Sequence, residues 1–142
     1  MFKIKENTIT ANEFISIWNA VEWGDFLEIE RVEMALKNSI CTFGIYINET
    51  VIGMGRLIGD GAMSFYLKDF AILPKFQKNG YGRELLTHII QYIKTKTLYG
   101  GSVELISSKG REEFYQKFGF ELRPNEYDGA GMFLHIPAES SD

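Results

Sequence analysis

The residues whose types and spacing suit chemistry lie in one stretch, Asp69-Phe-Ala-Ile-Leu-Pro-Lys-Phe-Gln-Lys-Asn-Gly-Tyr-Gly-Arg83. It reads as a strand, then a polar loop holding Gly80 and Gly82, then a helix. Unpaired amides at the start of a helix form a cradle for an anion. Glycine there lets a phosphate approach the backbone with no Cβ in its way. Lys78 and Arg83 would add positive charge to that cradle. The stretch is not a P-loop, because the Gly…Gly-Lys-Ser/Thr ending is absent. Nor is it a dinucleotide fingerprint, since Leu85 stands where the third glycine belongs. Cys41 opens an apolar strand and reads as core rather than nucleophile. His88 reads as solvated and His135 as structural, and no Cys/His cluster has metal-ligand spacing.

Charge marks the same stretch. The 142 residues carry 15 Lys+Arg and 19 Asp+Glu, a net charge of -4. Residues 65–100 alone hold 6 basic and 2 acidic side chains, whereas 1–64 hold 5 and 9 and 101–142 hold 4 and 8. A basic centre inside an acidic chain fits a local anion site. The overall balance argues against general nucleic-acid binding. The opening MFKIKENTIT has no apolar run of the secretory type, and no stretch approaches a membrane span. The expectation is one cytoplasmic domain over residues 1–142, with no membrane partner.

Several elements must position the loop. Thr10 and Glu13 match a capping box, and Phe14, Ile17, Trp18 and Val21 follow at helical spacing. A second helix is expected over Glu28 to Lys37. Phe43, Ile45 and Ile47 alternate with Thr42, Gly44 and Tyr46, a strand pattern. Asn48–Glu49 turns into a hairpin arm over Val51 to Ile58, where Gly53 and Gly55 point to a bulge or close packing. Phe65 to Leu73 is a third strand, stopped by Pro74. A periodic helix follows over Tyr81 to Thr95, then a strand over Val103 to Ser107 and a short helix over Arg111 to Phe118. Two last strands are expected at Phe120–Leu122 and Met132–Ile136. The fold class is α/β, mixed α+β, with helices on the faces of a mixed sheet.

With these elements in place, the sequence resembles the GCN5-related N-acetyltransferases (GNAT). Gln77-x-x-Gly80-x-Gly82, directly after a strand ending Ala-Ile-Leu-Pro, is similar to that family's acetyl-CoA signature. Glu113-Phe-Tyr-Gln-Lys-Phe-Gly-Phe120 resembles its Phe-Tyr-x-x-x-Gly-Phe segment. The resemblance implies the GNAT acyl-CoA N-acyltransferase fold: a central, mostly antiparallel sheet splayed between two parallel strands. It implies pantetheine along Phe70, Ala71 and Ile72, and pyrophosphate at the amides of Gln77, Lys78, Asn79, Gly80, Tyr81, Gly82 and Arg83. Ser108 stands where members often carry Asn. Phe114 and Lys117 would flank the far end of acetyl-CoA. No metal is implied.

Transfer to an amine needs a neutral amine, a donor to the carbonyl oxygen and an acid for the leaving thiolate. The resemblance nominates Tyr115 as that acid. On its own, Tyr115 beside Phe114 and Phe118 would read as core. Asp69 is one candidate base, its plainer reading being an ion pair with Lys68 or Arg56. Glu22, Asp25, Asp60, Glu104, His135 and relayed waters are others. Trp23, Asp25, Arg56, Asp60, Tyr66 and Tyr127 are nominated for the acceptor, with aromatic walls and carboxylates suiting a cationic amine. The expected function is acetyl transfer to a small-molecule primary amine, an aralkylamine or a polyamine-like acceptor. The alternatives are a coenzyme A-binding module without turnover and a protein or peptide N-acetyltransferase. A homodimer is compatible with the family.

Overall fold

Backbone hydrogen bonding and side-chain period together build the first element pair of the chain. In the computed structural model, which describes residues 1–24 and 26–139, β1 spans Phe2–Glu6 and α1 spans Ala11–Ala20. Thr10 Oγ1 accepts from the Glu13 amide at 3.1 Å, and the Thr10 amide donates to Glu13 Oε1 at 3.0 Å. That reciprocal pair is the expected capping box, and it satisfies two amides at the α1 end. β1 is not among the elements read from the sequence, although Phe2 and Ile4 alternate with Lys3 and Lys5.

The next elements are α2 (Ile29–Lys37), β2 (Cys41–Ile47), β3 (Thr50–Gly59) and β4 (Ser64–Ile72). A 3-10 turn over Pro74–Phe76 leads to α3 (Tyr81–Lys96) and then β5 (Ser102–Glu104). The strands form one sheet in the order β1-β2-β3-β4-β5. The first three pairings are antiparallel, and β4–β5 is parallel. A parallel neighbour needs a crossover, and α3 supplies it.

Alternation sends side chains to opposite faces of the sheet. Phe43 and its register partner Gly55 face α3, where the Phe43 ring meets His88 and Tyr92 at 5.8 and 5.3 Å. Gly44 and Met54 come next along the strands and face the other way. There Met54, Tyr46 and Ala71 join Ile9, Phe14, Ile17 and Val32 in a core beneath α1 and α2. On the α3 side, Leu85, Leu86 and Ile89 are fully buried. Each such aliphatic side chain contributes roughly 1.5–3 kcal/mol. Gly53 is needed for strand contact: a Cβ there would lie 2.5 Å from Ile72 Cδ1 and 2.9 Å from the Ala71 carbonyl.

Residues 1–105 form one compact unit, and a second begins at Ile106. Within the second, α4 spans Glu112–Gln116, shorter than expected. The strands expected at Phe120–Leu122 and Met132–Ile136 are absent from the described residues. Backbone groups near the first are used in a local turn instead. The Asn125 amide donates to the Asp128 carbonyl, and Asn125 Oδ1 accepts from the Tyr127 and Asp128 amides. Met132, Phe133, Leu134 and Ile136 are all exposed. Apolar residues at 132, 133 and 134 break the strand period, so no single face is available to bury.

Candidate active site

The first part of the site is a strand that loses its neighbour. β4 pairs with β5 at Ser64↔Ser102, Phe65↔Val103 and Tyr66↔Glu104, and no further. It then continues to Ile72. Phe70, Ala71 and Ile72 therefore lie on a stretch held by β3 alone in the ladder. A strand that runs on past the end of its ladder can pair with an extended ligand.

A bulge falls in that stretch. Met54 pairs with Ala71 and Arg56 with Lys68, so two steps on β3 oppose three on β4. Asp69 takes the left-handed conformation, φ 54°. Simple alternation from Lys68 would send its carboxylate to the α3 face. The bulge instead brings it beside Arg56, whose Nε donates to Asp69 Oδ2 at 2.6 Å. Arg56 Nη1 donates to Ser39 Oγ at 3.3 Å, and that hydroxyl donates to the Ala35 carbonyl of α2 at 2.8 Å. Phe70 turns toward α3, its ring 3.2 Å from where a Cβ on Gly55 would be.

The second part is the loop. Gln77 Nε2 donates to the Ile72 carbonyl at 2.9 Å and ties the loop to the end of β4. Asn79 Nδ2 donates to the Gln77 carbonyl at 3.1 Å. Lys78 has φ 65° and Gly80 has φ 86°. Gly80 caps α3 with no side-chain hydrogen bond, so the first helical amides at Tyr81, Gly82 and Arg83 lack an intrahelical acceptor. Nothing lies within 4 Å of where a Gly80 Cβ would be. The Lys78 and Arg83 side chains are exposed beside it. Positive partial charge, two cations and open space make a fitting seat for a pyrophosphate. The Tyr81 ring packs as a prop, meeting Phe2 at 6.0 Å and Phe76 at 6.3 Å.

The second unit carries the remaining motif. Tyr115 is buried on α4, edge-on to Phe114 at 5.1 Å and Phe120 at 5.9 Å. Burial pushes its phenol up to about 12, against the opposing pull of the Arg111 cation. It is therefore an acid that stays protonated through neutral pH. Gly119, φ 97°, ends the helical turn, with its amide donating to the Gln116 carbonyl. Phe114 is half-buried and Lys117 exposed. Ser108 is exposed, and its carbonyl accepts from the Arg111 amide at 3.0 Å.

The residues nominated for the acceptor have the following surroundings. Trp23 packs edge-on against Trp18 at 5.4 Å, below α1. The Trp18 Nε1 proton is buried without a partner. Asp25 lies outside the described residues. Arg56 is engaged by Asp69 and Ser39. Asp60 is engaged as well. It sits at the β3–β4 turn, at the other end of β4 from the loop, and its Oδ1 accepts from the Ala62, Met63 and Ser64 amides. Those bonds hold its carboxyl below the usual range. Tyr66 is half-buried opposite Glu104, and desolvation, with that carboxylate, raises its phenol. Tyr127 is exposed in the Asn125 turn, where its amide rather than its ring is engaged. The register shift between Met54 and Arg56 agrees with the bulge expected in this hairpin arm; that Asp69 is the extra residue opposite was not legible, because aspartate gives a weaker sign of positive φ than glycine. The paired Gly53 and Gly55 opposite were the available signal.

Comparison with known proteins agrees with this geometry. Residues 8–137 match the Acetyltransferase (GNAT) domain family. The chain belongs to the GNAT acetyltransferases. An uncharacterized N-acetyltransferase ycf52-like protein from Prochlorococcus marinus is 31% identical over 121 residues, covering 82% of this chain and 66% of its own length. This chain therefore spans about two thirds of that relative. A probable acetyltransferase of unknown function from Staphylococcus aureus has a similar structure, with TM-score 0.83 and 32% identity, covering 96% of this chain and 100% of its own. The ribosomal protein bS18-alanine N-acetyltransferase of Haemophilus influenzae is 27% identical over 129 residues, covering 80% of this chain and 88% of its own.

Proposed function

We propose that the protein transfers the acetyl group of acetyl-CoA directly to a primary amine of a small molecule. The observation that carries this reading is the continuity of two parts. The open stretch of β4 from Phe70 to Ile72 runs, through the Gln77 tie, into the uncapped start of α3. An extended chain ending in a pyrophosphate fits that path, with the amide–carbonyl portion on the strand and the anion at Gly80–Arg83. Lys78 and Arg83 then neutralise phosphate charge.

In the transfer, the neutral amine nitrogen bonds to the thioester carbonyl carbon and the C–S bond breaks. A backbone amide near Ile72 donates to the carbonyl oxygen as negative charge builds there. The Tyr115 hydroxyl gives its proton to the departing sulfur. Burial keeps that phenol protonated through neutral pH, so the proton is there to give. The proton released by the amine leaves through water. The acidic balance of residues 1–64, with 5 basic and 9 acidic side chains, favours an acceptor that approaches as a cation.

The second reading is acetylation of a protein N-terminus, favoured by the likeness to the bS18-alanine N-acetyltransferase. One experiment separates the two. Thiol release from acetyl-CoA is followed with a panel of aralkylamines and polyamines and with a peptide bearing N-terminal alanine. Turnover of the amines supports the first reading, and turnover of the peptide alone supports the second. Binding of acetyl-CoA without any release would mean a coenzyme A-binding module.

A further inference from the structure

We propose that Arg56 is a positioning residue whose ion pair with Asp69 sets the bulge of β4, and with it the strand edge that receives the acyl-bearing chain. This rests on the acetyltransferase reading above, and gives Asp69 a role other than base.

Three observations converge on it. The extra residue of the bulge is Asp69 itself, in a left-handed conformation that costs energy for any residue with a Cβ. Such a conformation persists where its surroundings over-determine it. Arg56 supplies that constraint from the facing strand, with a 2.6 Å charge-assisted bond on side chains only 16% and 9% exposed. The guanidinium is itself held. Its Nη1 reaches Ser39 Oγ, and Ser39 is anchored on the last turn of α2 through the Ala35 carbonyl. The arrangement therefore runs from α2 through β3 into β4, and ends one residue before Phe70.

The position of the bulge gives this its consequence. Pairing with β5 stops at Tyr66, and the extra residue follows three positions later. A bulge bends its strand and increases the local twist. The amides of Phe70 to Ile72 take their direction from it. A regular strand in the same place would put Asp69 on the α3 face and reverse every side chain beyond it. Asp69 Oδ2 is already taken up by the Arg56 Nε hydrogen bond at 2.6 Å.

The test uses substitutions that separate conformation from charge. Arg56→Gln leaves Asp69 in the bulge without its tie. Asp69→Gly removes the carboxylate but adopts positive φ freely, whereas Asp69→Ala does not. Two quantities are read for each variant: acetyl-CoA affinity by titration calorimetry, and hydrogen exchange of the Phe70–Ile72 amides without acetyl-CoA. Arg56→Gln and Asp69→Ala are expected to weaken affinity about tenfold and to speed exchange of those amides. The double variant Arg56→Gln/Asp69→Gly is expected to return affinity to within about threefold of the parent and to return exchange to the parent rate. Non-additivity of this kind marks two residues acting on one conformation. The acidic limb of the kcat/KM profile is expected to persist in Asp69→Gly, and its disappearance would restore Asp69 as the base and overturn the proposal. Equal affinity and exchange for Asp69→Ala and Asp69→Gly would also overturn it. Should Arg56→Gln not fold, Arg56→Lys keeps the charge without the two-point geometry and is expected to fall between parent and Asp69→Ala. A parent protein that shows no acetyl-CoA binding would sink the acetyltransferase reading. The exchange data would then still decide whether Arg56 sets the bulge.

Discussion

At the scale of single residues, two groups have roles that could be confused from sequence. Tyr115 and Asp69 both read as groups able to move a proton. The structure separates them by surroundings. Tyr115 sits among aromatic rings, with burial pushing its phenol up to about 12. Asp69 sits against a guanidinium. Tyr115→Phe keeps the ring packing and removes only the hydroxyl. It is expected to lower kcat by about 10²-fold, within the usual range for general acid catalysis, and to leave KM for acetyl-CoA nearly unchanged. Steady-state kinetics check this, and an unaltered kcat would remove Tyr115 from the chemistry. The raised phenol also has a stability consequence. The unfolded chain ionises near 10 and the folded chain near 12, so across that window the folded state holds the extra proton. Stability contributed by neutral Tyr115 is complete below the lower value and lost as pH rises through the upper. Tyr115→Phe should flatten the alkaline end of the unfolding curve.

At the scale of elements, legibility followed local physics. The capping box at Thr10 and Glu13, the hairpin turn at Asn48–Glu49 and the α3 period were all readable, because each signal lies within a few residues. That Asp69 forms the extra residue of the bulge was not, since its cationic partner lies thirteen positions away on the facing strand. The two last strands failed for a related reason. Apolar content at Met132–Ile136 was visible, but a strand exists only through its partner, and no single-segment pattern shows one. Likewise Asp60 looked like an acceptor contact, yet it closes its own turn through three amides. The capping box offers a direct check on α1. Thr10→Ala removes the acceptor for the Glu13 amide and is expected to cost about 1 kcal/mol of stability. Denaturant unfolding measures this. No change in midpoint would mean that α1 is held by its buried Phe14 and Ile17 alone.

At the scale of the whole molecule, the net charge of -4 conceals a basic centre. Residues 65–100 supply both the open β4 edge and the α3 entry, and they hold 6 basic against 2 acidic side chains. The chain therefore pairs a locally positive cradle with acidic flanks, one suited to an anionic donor and the other to a cationic acceptor. The central claim is that the β4 edge and the α3 entry together seat acetyl-CoA. Titration calorimetry of the full chain with acetyl-CoA, beside the Lys78→Gln/Arg83→Gln variant, tests it most directly. The account predicts saturable one-to-one binding, with an affinity in the range of about 1 μM to 1 mM typical of enzyme substrates. It predicts that binding weakens with added salt and falls at least severalfold in the variant. Absence of saturable binding by the parent, or equal binding by the variant at low salt, would contradict it.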